Sequence, residues 1–197
     1  LTEAGLAGRD IMWDQNYRHN LTIRRALENI YSNYNGDGKF TDDYKAFETY
    51  LKRVWFSNGI HHHYSNDKLK PGFSKEYLNE LLLATNTKLD GAAFNIIFND
   101  EDAKKVNQAK GVDNVALSAV NFYGPGVTSD DVINFYKNKT SPDPDRPLSY
   151  GLNSQLVKED GVLKERVYKS DGLYGAAIDN IIEWLSKASE VAENEAQ

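Results

Sequence analysis

Residues 52–64, Lys52-Arg53-Val54-Trp55-Phe56-Ser57-Asn58-Gly59-Ile60-His61-His62-His63-Tyr64, carry a helical pattern without a polar break into three adjacent histidines. We expect the helix to end at Asn58-Gly59, because Asn and Gly close helices in the left-handed conformation. Consecutive side chains point about 100° apart on a helix and to opposite faces on a strand. Three neighbouring histidines on a regular helix or strand therefore cannot all bind the same metal ion.

Two interpretations of the histidine run stay open. In the first, the helix simply ends and the rings pack on the surrounding chain or face solvent. In the second, the run forms the wall of a cleft or part of a zinc site. The candidate cleft surface consists of Asn58, His61, His62, His63 and Tyr64.

Toward the N-terminus the pattern predicts three helices. One covers residues 1–13, and a second covers residues 21–31 with Asn20 as its cap. After the connection Gly36-Asp37-Gly38, a third helix begins at Thr41, where acidic residues suit the positive end of the helix dipole. Its apolar stripe, at three- and four-residue spacing, consists of Tyr44, Phe47, Leu51, Val54 and Trp55.

Toward the C-terminus the pattern mixes helices with a few strands. We predict helices over residues 74–85, 92–98 and 102–109, after a capping box at residues 128–131, and after Asp171-Gly172. Residues 115–123 have the composition of a strand, and residues 152–168 form a hairpin around Asp160-Gly161. Residues 141–147, which hold three prolines, form an exposed loop. The fold class is therefore α+β, predominantly helical with a small antiparallel sheet.

Composition narrows the classes of function. A chain of 197 residues with 40% hydrophobic residues is expected to form a single domain over residues 1–197. The net charge of -6 argues against nucleic acid as a partner, and no apolar run reaches membrane-spanning length.

The chain has no cysteine, so its composition is compatible both with the cytoplasm and with export. We favour a cytoplasmic location. Both termini fall in helix-forming stretches, so we expect further polypeptide beyond them.

Residues 33–44 nearly match a calcium-binding loop between two helices. Oxygen-bearing side chains stand at the first, third and fifth places (Asn33, Asn35 and Asp37), and Gly38 holds the sixth. The twelfth place, which needs a bidentate glutamate, holds Tyr44. A weak calcium-binding helix-loop-helix and a plain glycine-rich connector are the alternatives here.

No complete catalytic constellation is found. The acidic pairs Asp130-Asp131 and Glu159-Asp160 are placed where solvated carboxylates are common, at a helix start and in a hairpin turn. A Walker loop, a dinucleotide fingerprint and a nucleophile elbow are all absent from the sequence. We therefore assign no catalytic residue and no metal ligand in this chain.

Residues 50–64 and 150–161 resemble the bacterial branch of the dipeptidyl peptidase III family. Shorter stretches support this resemblance in the same order along nearly the whole chain. They are Gly8-Arg9-Asp10-Ile11, Asp14-Gln15-Asn16, Ile23-Arg24-Arg25, Pro71-Gly72-Phe73-Ser74, Val106-Asn107-Gln108-Ala109 and Val191-Ala192-Glu193-Asn194.

The resemblance implies a zinc metallopeptidase, a hydrolase that releases dipeptides from the free N-terminus of short peptides. Such enzymes have two lobes around a wide cleft, with zinc held by a His-Glu-x-x-Gly-His motif and a downstream glutamate. This motif is absent here, so the resemblance places the chain in the N-terminal part of the lobe that faces the zinc lobe. It implies no cofactor in this chain, zinc in the full-length parent, and the zinc lobe and short peptides as partners.

Two other functions remain as alternatives. One is a stand-alone helical binding module that uses the aromatic and histidine surface of residues 55–64. The other is the calcium-binding loop of residues 33–44. By itself, the chain is expected to be catalytically inactive.

Overall fold

The structure, a computed structural model, describes residues 1–101, 104–139, 141 and 143–194. These residues form seven α-helices, a short 3₁₀ helix at Asp37–Phe40 and one antiparallel pair of strands. The α-helices are α1 (Thr2–Asn16), α2 (Asn20–Asn33), α3 (Asp42–Ser57), α4 (Lys75–Ala84), α5 (Gly91–Phe98), α6 (Ser129–Tyr136) and α7 (Gly175–Glu190). The strands are β1 (Ser154–Glu159) and β2 (Val162–Val167). The predicted α+β class, mainly helical with a small antiparallel sheet, is confirmed.

The described residues fall into two compact units. The first unit comprises Leu1–Gln15, Gln108–Ala116 and the described part of Asn121–Gln197. The second comprises the described part of Asn16–Asn107, together with Leu117–Val120. The single domain expected for residues 1–197 stays a prediction.

The second unit is built on α2 and α3, which pack against each other. The Thr41 hydroxyl accepts the amide hydrogen of Tyr44 and caps α3, and the helix ends at Asn58 in the left-handed conformation with φ 53°. Both features confirm the prediction from residues 41–59. The core side chains that these two helices bury completely are Ile23, Leu27, Ile30, Phe47, Leu51 and Val54.

The first unit contains the hairpin. Ser154 pairs with Val167 at its open end and Glu159 with Val162 beside the turn. Asp160 and Gly161 both have positive φ, 51° and 79°, as a two-residue turn between antiparallel strands requires. The first four residues of β1 are buried, so this strand supplies part of the unit's core.

The strand predicted over residues 115–123 is wrong. The Asp113 carboxylate accepts the Ala116 amide hydrogen at 2.9 Å, which makes a turn where the strand was expected to start. Further on, the amides of Ala119 and Val120 donate to carbonyls at Lys104 and Lys105, and Tyr123 alone in this range forms a bridge, with Leu156. Residue types that are common in strands indicate only that a segment suits a half-buried, pleated surface. Here hydrogen bonds to distant parts of the chain determine the backbone conformation instead.

The helix predicted over residues 102–109 is also wrong for its described part, residues 104–109; residues 102 and 103 lie outside the described residues. The Lys105 amide donates to the Asn66 carbonyl, and the carbonyls of Lys104 and Lys105 accept from residues 119 and 120. These backbone groups therefore bond to partners distant in sequence. In a helix the same groups would bond to residues four positions away.

Asn20 is not the cap of α2, contrary to the prediction. It is the first residue of the helix, and its buried side-chain oxygen accepts the Ile60 amide hydrogen at 3.0 Å. The cap position belongs to His19, whose side chain makes no capping hydrogen bond. The Asn20 side chain is of a type that often caps helices, but here it bonds to a backbone group distant in sequence.

Candidate functional site

An open groove of about 340 Å³ lies in the second unit, beside the C-terminal half of α3. Four of its lining residues recur at positions 49, 52, 53 and 56, which places them on one face of the helix. The histidine loop, defined as residues 61–68, contributes His62 and His63 to the lining. The full lining is Thr49, Lys52, Arg53, Phe56, Ser57, His62, His63 and Leu69.

The histidine loop is closed by backbone hydrogen bonds. His61 and Lys68 form an antiparallel bridge, and the His62 amide donates to the Asp67 carbonyl at 2.7 Å. Asn66 turns the loop with φ 61° and donates its own amide to the His62 carbonyl. The loop is therefore a small hairpin that holds its side chains in place without belonging to the sheet.

Aromatic rings stack along the groove wall. The His63 ring meets Phe56 edge-on at 4.7 Å between centroids, and it stacks on the His62 ring at 4.7 Å with an interplanar angle of 28°. The Tyr64 ring lies beside His63 at 4.1 Å and is 6.1 Å from the His62 ring. Phe56 itself is 74% exposed, so one member of this cluster presents its ring to solvent.

Hydrogen bonds within the histidine loop involve the His62 ring and the Asp67 carboxylate. The His62 Nδ1 atom accepts amide hydrogens from Tyr64 and Ser65, each at 3.3 Å, so the neutral ring carries its proton on Nε2. At the end of the loop, a hydrogen bond from Lys104 is the main cause that lowers the pKa of Asp67, with Ser65 adding to it. The Lys104–Asp67 ion pair spans 2.8 Å and anchors the loop.

The predicted cleft residues separate into two groups. His62 and His63 line the groove, and Tyr64, which is 82% exposed, contacts the His63 ring. His61 is buried instead and packs edge-on against Tyr17 at 5.1 Å. Asn58 ends α3, and its carbonyl accepts a hydrogen bond from the Asn16 side chain at 3.1 Å.

The sequence interpretation missed the contribution of α3 to this surface. Thr49, Lys52 and Arg53 line the groove but lie outside the surface of residues 55–64 predicted from the sequence, whereas Phe56 lies within it. The spacing of Thr49, Lys52, Arg53 and Phe56 was the pattern that could have identified them, because it repeats on the face opposite the core.

Among the described residues, no group of three or more His, Asp or Glu side chains is arranged to hold a metal ion. In the loop resembling a calcium site, the Asn33 side-chain amide donates to Asn29, and Asp37 begins the 3₁₀ helix. At the twelfth place the Tyr44 ring is buried and stacks on Tyr34 at 5.3 Å between centroids.

The predicted acidic pairs have structural partners. Asp131 closes the capping box of α6 by accepting the Thr128 amide hydrogen, and it also accepts from Lys158. Glu159 pairs with Lys164 and Arg166 across the hairpin. These contacts identify Asp131 and Glu159 as parts of the scaffold of the first unit.

A second surface in the first unit is apolar. None of the 16 residues of α7, all of which the structure describes, is fully buried. Ile182 is 51% exposed and Leu185 is 46% exposed. A groove of about 800 Å³ runs between the start of α1 and the end of α7. We call this the terminal groove; its lining is Leu1, Thr2, Glu3, Trp184, Leu185, Lys187, Ala188, Ser189, Val191 and Ala192.

The two grooves differ in their charged lining residues: the groove beside α3 has Lys52 and Arg53, whereas the terminal groove has Glu3 and Lys187. No helix within the described ranges is long and apolar enough to cross a membrane. Comparison with models of known protein families and with curated proteins gave no match to this chain.

Proposed function

We propose that this chain forms part of the lobe that faces the zinc lobe in a peptidase resembling dipeptidyl peptidase III. In the whole enzyme, zinc bound outside these residues would supply the activated water that cleaves dipeptides from peptide N-termini. This chain would contribute a wall of the cleft and a docking face for the remaining polypeptide. The resemblance of residues 50–64 and 150–161, and of shorter stretches along the chain, supports the proposal.

The observation that carries the proposal is the uncovered apolar face of α7. Ile182 and Leu185, which lie about one turn apart on this face, are 51% and 46% exposed, although the helix is strongly amphipathic. Helices in proteins owe most of their stability to burying such a face, and exposed contiguous apolar patches mark interaction surfaces. A further segment of the same polypeptide that packs on α7 would satisfy both requirements.

A self-sufficient binding module is the alternative from another class of function. The groove beside α3, with its cations and stacked rings, favours it. The exposed face of α7 disfavours it, because an independent module normally covers the apolar side of its own helices.

Activity assays on a dipeptidyl-arylamide test the leading proposal. The 197-residue chain with added zinc is expected to release no arylamine. A polypeptide that continues through the zinc motif is expected to release it in a zinc-dependent manner. Zinc-dependent cleavage by the shorter chain, or a folded longer polypeptide without activity, would refute the proposal.

A pair of variants in the longer polypeptide tests the role of α7. Leu185→Asp puts a charge on the apolar face and is expected to reduce the yield of active enzyme, because burying an unpaired carboxylate is costly. Asn180→Asp adds the same charge about 140° away around the helix and is expected to have little effect. Equal effects of both variants would count against docking through this face.

A further inference from the structure

Two cations, Lys52 and Arg53, line the groove beside α3. Lys52 and Arg53 are exposed, and neither forms an ion pair with any described residue. The described lining of the groove contains no Asp or Glu. This arrangement runs against the net charge of -6 of the chain. A local concentration of positive charge in a concave surface attracts anions.

Ring faces stand beside these cations. Phe56 follows Arg53 on the same face of α3, its ring contacts that of His63, and His63 stacks on His62. Planar ligands bind to such rings by offset or edge-on stacking. The groove therefore combines one feature that recognises charge with another that recognises a flat ring.

The His62 ring can also donate a hydrogen bond. Its Nδ1 atom is occupied by two backbone amide hydrogens, which assigns the proton of the neutral ring to Nε2. On the neighbouring ring, the His63 Nδ1 atom is buried and has no hydrogen-bond partner among the described residues.

The wall is held in position before any ligand arrives. The bridge between His61 and Lys68, the Leu69 amide bonded to the Ile60 carbonyl and the Lys105 amide bonded to the Asn66 carbonyl all fix the histidine loop. Side chains on a fixed loop lose little conformational entropy on binding. A volume of about 340 Å³ suits a small molecule.

The geometry points to a binding site for a small organic anion that joins a planar ring to a carboxylate or phosphate group. The ring lies against Phe56, His62 and His63, and the anion meets Lys52 and Arg53. This inference is independent of the peptidase proposal, since it uses residues of the second unit alone.

Calorimetry on the full 197-residue chain tests the inference. The probes are phenylacetate and phenyl phosphate, with acetate and benzyl alcohol as half-ligands that lack the ring or the charge. At low ionic strength, where exposed charges are least screened, at least one aromatic anion is expected to bind about tenfold more tightly than either half-ligand. The stronger of the two identifies carboxylate or phosphate as the preferred group.

Matched variants locate the site. Lys52→Gln combined with Arg53→Gln is expected to weaken binding about tenfold, because it removes both charged contacts. Lys39→Gln combined with Lys88→Gln removes the same charge from exposed lysines of the same unit outside the groove, and it is expected to leave affinity nearly unchanged.

A second pair of variants tests the ring contact. Phe56→Ala is expected to reduce the affinity for phenylacetate toward that for acetate, while Leu83→Ala, an apolar side chain with the same 74% exposure, is expected to have no effect. The inference is overturned if neither aromatic anion binds at millimolar concentration. It is also overturned if the Lys52 and Arg53 variant binds as tightly as the unchanged chain.

Discussion

Glu165 on β2 shows how a single carboxylate organises the first unit. Its oxygens accept hydrogen bonds from Tyr136 at 2.7 Å, from Ser154 at 2.9 Å and from Lys139 at 2.5 Å. Burial by itself raises the pKa of Glu165, but the hydrogen bonds from Lys139, Tyr136 and Ser154 outweigh burial and lower the pKa below its ordinary 4.5. These bonds connect residues 136–139 to the hairpin.

Replacing Glu165 by Gln is expected to destabilise the protein by about 1–3 kcal/mol at pH 7, because three donors lose a charged acceptor. A carboxylate whose folded pKa is lowered stabilises the protein above its unfolded pKa, and this contribution disappears as pH falls through the folded value. The difference between Glu165→Gln and the unchanged chain should therefore shrink below about pH 4.5. Chemical unfolding at several pH values measures it.

Glu159→Gln is the control on the same hairpin. Glu159 also has a lowered pKa, mainly through its hydrogen bond from Arg166, but both side chains of this pair are exposed, at 38% and 52%. Exposed ion pairs contribute little to stability, so a much smaller effect at pH 7 is expected. An equal or larger loss in this control would contradict the account of Glu165.

Gly59 is required by the contact between the end of α3 and the start of α2. Its φ of 148° is unfavourable for other residues, and a Cβ here would overlap the Asn20 side chain, which accepts the Ile60 amide hydrogen. Gly59→Ala is expected to cost about 2 kcal/mol or more, as strain and lost packing combine. Gly91→Ala, with no atom within 4 Å of the added carbon, is expected to be neutral or stabilising. Thermal unfolding compares them, and similar effects would contradict this explanation.

At the scale of elements, the hairpin depends on its two-residue turn. Gly161 has φ 79° with open space around it, so Gly161→Ala introduces backbone strain without a clash. We expect a loss of about 1 kcal/mol in the free energy of unfolding, because left-handed conformations cost other residues about that much. Asp160→Asn retains a side chain that tolerates positive φ and is expected to change stability little. Equal stability of all three proteins would contradict the assigned turn.

Elements with strong local patterns were predictable from the sequence. Thr41 and Asn58 bound α3, and Asp160-Gly161 sets the hairpin, because caps and turns depend on residues a few positions apart. Residues 104–109 and 115–120 were not predictable in this way. Their backbone groups bond to partners distant in sequence, such as Lys105 to Asn66, and no local pattern records those partners.

The candidate site was predictable only in part, for a related reason. The triple histidine indicated the correct region of the chain. Which of the three rings is buried depends on the bridge between His61 and Lys68, which buries His61 and leaves His62 and His63 in the groove lining. The cations of α3 belong to its solvent face, where spacing alone does not distinguish a groove wall from an ordinary charged surface.

At the scale of the whole molecule, the two units bury their apolar residues unequally. In the second unit, α2 and α3 each bury several large side chains completely. In the first unit, α7 is equally amphipathic, yet it leaves Ile182 and Leu185 about half exposed. We connect this difference with the proposed function, in which further polypeptide of the same protein covers α7.

Amide hydrogen exchange tests this central claim most directly. It would compare the 197-residue chain with a polypeptide that continues through the zinc motif. We predict that residues 175–190 gain protection in the longer protein, because covering the apolar face suppresses local opening, while residues 42–57 stay unchanged. Equal exchange of residues 175–190 in the two folded proteins would contradict the account.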